Sequence, residues 1–137
     1  MGLYLCIFDG DEDVDGIDVG AYSDWNTFIR AIIAHMENGL RGMGAPVLTL
    51  HGDSDGEWSP AECAQLERTL DDIERIFSRS PPEPPQEGWQ AKDAKRQGLR
   101  FTNLADCVFD VDGQNLITRL RDLAKLAQKL DRPILFQ

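Results

Sequence analysis

A chain of 137 residues, 42% apolar, with 24 acids against 14 bases and a net charge of −10, has the size of one globular domain and a strongly acidic surface. That charge excludes nucleic acid as a partner, because phosphate binding needs the opposite sign. The longest apolar run, Leu3–Phe8, is far too short to span a bilayer and lacks the basic flank and cleavage site of a secretion signal, so a cytoplasmic protein is expected.

The charge is unevenly spread. Residues 1–60 carry 11 acids against Arg30 and Arg41, a net −9, whereas residues 61–137 carry 13 acids against 12 bases, a net −1. Cys6, Cys63 and Cys107 stand singly in apolar surroundings without C-x-x-C spacing, the pattern of free thiols in a reducing compartment. Cys6 also occupies the place where a myristoylation signal needs Ser or Thr.

In chain order, GLYLCIF reads as a buried strand closing in acidic turn residues. Trp25, Phe28, Ile29, Ile32, Ile33 and Met36 then recur at helical spacing, with Ser23 or Asp24 as the cap and Asn38-Gly39 as a left-handed stop. The glycine-rich NGLRGMGAP lacks the Lys-Ser/Thr of a phosphate loop. Val47–His51 reads as a second short strand.

Ser59, Pro60 and Glu62 spell a capping box with proline in the first helical place. Cys63, Leu66, Leu70, Ile73 and Phe77 continue from it as one apolar stripe. Prolines in SPPEPP stop that helix, so residues 80–90 are expected to form an ordered connector within a single domain spanning 1–137. Ala91–Gln97 reads as a short helix ended by Gly98, and Cys107–Phe109 as a brief apolar stretch. Leu116 to Leu130 marks a long amphipathic helix, with Asp112 its expected cap. ILFQ closes the chain as a strand tied into the sheet, a neighbour of the first. The expected fold is α/β or α+β: three to four strands packed by about three main helices.

The tetrapeptide D-x-D-G occurs three times: DVDG at Asp13–Gly16, DSDG at Asp53–Gly56 and DVDG again at Asp110–Gly113. From Asp11 the run D-E-D-V-D-G matches the start of a calcium loop, with Asp11, Asp13 and Asp15 as candidate ligands, but Tyr22 stands where the bidentate Glu belongs. CVFDVDG and CIFDGD resemble the nucleophile motif of haloacid-dehalogenase-like phosphatases, yet lack its Gly-Thr continuation and the lysine and metal shell that chemistry needs. Asx-turn chemistry, in which Asp bonds its own backbone and Gly supplies a positive φ, accounts for the tetrapeptide without a ligand. A hydrolase alternative would pair His51 with Asp53, Asp55 or Cys63, although Cys63 falls on an apolar stripe. No cofactor motif is present.

MGLYLCIFD, GIDVGAYSDWNTFIRAI, HGDSDGEWSPAEC, GWQAK, DCVFDVDG and RPILFQ together resemble the immunity protein 70 family of bacterial polymorphic-toxin systems, over essentially the whole chain. The resemblance implies a small cytosolic protein that binds and neutralises a cognate toxin domain, and it implies no catalytic residues. A one-sided negative charge would steer a basic toxin to fast encounter. On that reading Asp11, Glu12, Asp13, Asp15, Asp53, Asp55 and Glu57 form an acidic recognition face, with Trp58 a candidate anchor. The alternatives are a cation-binding module at Asp11–Asp18 and the small hydrolase.

Overall fold

The computed structural model describes residues 2–53 and 55–137. Ten elements follow one another: β1 (Gly2–Asp9), β2 (Glu12–Ala21), α1 (Tyr22–His35), α2 (Pro46–Thr49), β3 (Glu57–Trp58), α3 (Pro60–Ser78), α4 (Gly88–Gln97), a 3-10 turn (Leu104–Cys107), α5 (Leu116–Leu130) and β4 (Ile134–Phe136). The strands form a four-stranded sheet in the order β2-β1-β4-β3, antiparallel throughout. The fold is therefore α+β, with the first and last strands side by side as expected.

Strand alternation sends Leu3, Leu5, Ile7, Ile17, Val19, Trp58, Ile134 and Phe136 to one face, where they join the apolar stripes of α1, α3 and α5 in a single core. The other face carries Tyr4, Phe8 and Leu135, each half-buried, around a fully buried Cys6. The first strand is thus buried on one face and half-open on the other, the usual arrangement of an antiparallel sheet with helices on one side.

Several local expectations are corrected. DGDEDVDGID is not an acidic loop: only Gly10 and Asp11 turn, Gly10 at φ +66°, and Glu12 onward is strand. Acids are poor strand formers, but pairing with β1 and burial of Ile17 and Val19 outweigh that preference. Val47–His51 is not a strand. Pro46 opens a single helical turn, with Leu48 and Thr49 N–H both donating to Ala45 O, at 3.0 and 2.9 Å. A short apolar run does not distinguish the two states.

Helix α1 is capped from Ala21, whose N–H donates to Asp24 Oδ2 at 2.8 Å, rather than from Ser23 or Asp24. Asn115, not Asp112, caps α5, accepting from Thr118 N–H at 3.1 Å. Asp112 lies three residues before the cap, inside the turn in which its N–H donates to Asp110 Oδ1. The proline segment 81–86 runs without helix or strand, and α4 begins earlier than expected, at Gly88.

The capping box of α3 forms as read: Glu62 N–H to Ser59 Oγ and Ser59 N–H to Glu62 Oε1, both at 3.1 Å. Ser59→Ala should lower stability by about 1 kcal/mol, measured as a shift of the urea midpoint at unchanged slope.

Part of each outer edge of the sheet is occupied. On β2, Arg119 Nη2 donates to Gly16 O at 2.7 Å and Val111 N–H to Asp18 O at 3.0 Å. On β3, His51 Nε2 lies 3.1 Å from Glu57 O. Occupied carbonyls leave these stretches of edge a poorer template for strand addition.

Candidate recognition face

The predicted acidic residues separate by strand geometry. Asp11 and Glu12 stand exposed at the β1–β2 hairpin tip. The register pairs Ile7 with Asp15 and Phe8 with Asp13, so Val14 is an extra residue in a bulge. Ile7 faces the core and Phe8 the open side, and their partners follow. Asp13 lies on the open face, accepting from Tyr4 Oη at 2.8 Å. Asp15 turns to the helix side, 3.8 Å from Arg119 Nη2, and accepts its neighbour Gly16 N–H at 2.8 Å. Asp13 and Asp15 thus point to opposite faces, and among the described residues no three carboxylate, histidine or cysteine groups converge as ligands would.

At the opposite edge, Glu57 stands exposed beside Leu135 on the open face. Asp55 is exposed, whereas Asp53 is held by Asn26 Nδ2 at 2.9 Å. Ser54, within the second tetrapeptide, lies outside the described residues, as does Met1. Trp58 is not a surface anchor. It is 0% exposed, its indole N–H donates to Val47 O at 2.9 Å, and its ring packs edge-on against Phe136 at 4.7 Å.

Composition-led reading missed the residues between the acids. Across the middle of the open face run Gly16, Cys6, Leu135 and Glu57, in that cross-strand order. Tyr4 is paired with Asp18 and lays its ring over Gly16, where any side chain would collide with it. Hydrogen bonding to Asp13, burial and the Asp13 charge push the Tyr4 phenol up to about 12, so it stays a neutral donor. The alternation of Tyr4, Cys6 and Phe8 within GLYLCIF was the available signal.

The family model for immunity protein 70 matches residues 3–136. The chain belongs to the immunity protein 70 family. No curated protein and no solved structure matches it. Membership implies a toxin protein as the general kind of partner.

Immunity proteins are in general not enzymes. Both ring nitrogens of His51 face backbone carbonyls, Gly52 O at 2.6 Å and Glu57 O at 3.1 Å, and its ring stacks on Phe136. The Cys63 thiol is fully buried beneath β3, where burial pushes it up to about 12. A protonated, enclosed thiol is no nucleophile. Asp110, in the phosphatase-like motif, is 1% exposed and accepts the Asp112 and Gln114 N–H groups at 2.9 and 3.0 Å. It is an Asx turn, as turn chemistry required. Asp9, in the other copy, pairs with Arg132 at 3.0 Å. Among the described residues no helix is long and apolar enough to cross a membrane.

A cavity of about 310 Å³ opens between α1 and the 104–109 segment, walled by Phe28, Ala31, Leu104, Val108 and Phe109. Its rim carries both signs, Arg30 against Asp24 and Glu83.

The segment joining α1 to β3 is built around Glu37. This carboxylate is 2% exposed and accepts the Gly44 and Ala45 N–H groups at 3.0 and 2.8 Å and the Thr49 hydroxyl at 3.1 Å. Burial pushes its pKa up, but the hydrogen bonds push it down harder, and it settles below the ordinary carboxylate value. A lowered folded-state value stabilises above the unfolded pKa, about 4.3, and that stability is lost as pH falls through the folded value. Glu37→Gln should therefore lower stability by about 1–3 kcal/mol at pH 7, a deficit that shrinks below pH about 4. Urea titrations at the two pH values check this, and a deficit independent of pH would refute it.

Proposed function

We propose that this protein neutralises a cognate toxin domain by covering it with the open sheet face and hairpin tip, the carboxylates steering a basic partner into place. The observation that carries the reading is a half-exposed strip of Tyr4, Phe8 and Leu135 on the face opposite the helices, fringed by Asp13 and Asp18 on one edge strand and Glu57 on the other. Aromatic and aliphatic contacts flanked by charge are the composition of an interface core and its polar rim. The acids supply rate and selectivity; the apolar strip supplies lifetime.

Family membership supports a toxin as the partner, and the net −9 of residues 1–60 supports a basic one. The test is to purify the toxin domain encoded beside this gene and titrate the protein into it at several salt concentrations. The expected result is a one-to-one complex whose association slows as salt rises, with toxin activity lost in proportion to complex formed. A toxin domain that stays active and unbound would overturn the reading. Tight binding indifferent to salt would overturn its acidic part.

A further inference from the structure

We infer a second contact patch for the same basic toxin domain on the 38–50 loop, formed by Leu40, Met43 and Leu50; this rests on the toxin-binding reading. These side chains are 61%, 73% and 63% exposed, and the only other exposed large apolar side chain among the described residues is Val14 in the β2 bulge. Three such residues brought together by one short loop form a patch rather than scattered exposure.

The loop is held rigid from beneath. The Glu37 carboxylate gathers the Gly44, Ala45 and Thr49 donors, and Arg41 Nη1 donates to Thr49 O at 2.8 Å, closing the loop on α2. Leu50 rests on Gly42, whose φ of +88° and missing Cβ let the side chain lie within 3.0 Å of where a Cβ would stand. A charged group buried to order a loop that then exposes three large apolar side chains is arranged for contact. Order established before binding removes the entropy a floppy loop would lose on docking.

Charge selects the occupant. The chain leaves Leu50 directly into Asp53, Asp55 and Glu57, and His51 Nε2 at 3.1 Å from Glu57 O ties that turn to the edge of the open face. That turn leads from the patch to the β3 edge of the sheet. A second copy would bring the same carboxylates, on a chain of net −10, against themselves. A basic heterologous protein meets apolar patch and acidic fringe together.

The experiment titrates the purified toxin domain encoded beside this gene with the wild type, with the triple variant Leu40→Ser, Met43→Ser, Leu50→Ser, and with the single variant Met43→Ala. Circular dichroism and the urea midpoint verify that each variant is folded; the single variant, at the most exposed position, serves if the triple does not fold. The expected result is binding weakened at least tenfold in the triple and several-fold in the single variant, through faster dissociation, with the salt dependence of association unchanged. Wild-type affinity in a folded variant would overturn the inference and leave the proposed function standing. Failure of the wild type to bind would instead remove the proposed function, and this inference with it. A wild-type dimer in sedimentation that the triple variant dissolves would assign the patch to a second copy and overturn the choice of occupant.

Discussion

Trp58→Ala is expected to lower stability by about 3–5 kcal/mol, the usual range for emptying a buried aromatic site. The side chain is fully enclosed among Trp25, His51 and Phe136, at ring separations of 6.3, 5.4 and 4.7 Å. Its removal leaves a cavity where α2, β3 and β4 meet, and it strands Val47 O, which loses the indole donor. Against a total of about 5–15 kcal/mol for an ordinary domain, that loss brings the protein near its unfolding threshold. Urea denaturation measures it. Trp58→Phe refills much of the volume and loses only the hydrogen bond, so it should cost about 1 kcal/mol beyond its small volume change. Binding per folded molecule should survive in both variants. A variant of wild-type stability that no longer binds toxin would show that the indole reaches the partner, against its burial.

The largest functional effect is expected from reversing the acids that share the open face and tip. Asp11→Lys, Asp13→Lys and Glu57→Lys together change the charge by six units, from −10 to −4. Association with a basic toxin domain at low salt should slow by about 10- to 100-fold, and its salt dependence should flatten, while dissociation changes far less. Stopped-flow mixing across a salt series reads both quantities. Asp15 is left out deliberately, because its carboxylate lies near Arg119 on the helix side and its reversal would disturb that contact. Asp122→Lys, exposed on the outer surface of α5, is the control for net charge alone. If it slows association as much per charge as the face variants do, steering is diffuse and the acidic face is not the docking site.

The residues that hold this fold together and those proposed for recognition are different sets, and the division is only partly legible in the sequence. The α3 capping box could be read directly, because Ser59, Pro60 and Glu62 act on one another within a single turn. The apolar stripes of α1, α3 and α5 were legible for the same reason: helical periodicity is written in neighbours three and four residues apart. Asp110 was correctly read as turn chemistry, since an Asx turn is also local. The α5 cap falls on Asn115 and not on Asp112 because the turn over Asp110–Gln114 delays the helix start to Leu116, which the local pattern does not show. Trp58 was misplaced because a tryptophan beside a cap carries no local sign of the Val47 carbonyl or the Phe136 ring that enclose it.

By itself, the sequence determined the order of the main helices, the apolar edge of the first and last strands, the acidic bias of residues 1–60 and the family. Each is a property of composition, short-range periodicity or end-to-end similarity. The tertiary structure alone decided that EDVDG is an edge strand, that a bulge at Val14 sends Asp13 and Asp15 to opposite faces, and that PVLT turns as helix around a buried Glu37. Those outcomes depend on partners distant in the chain. Pairing with β1 overrides the poor strand propensity of the acids, and a carboxylate removed from water recruits the donors that shape the loop above it.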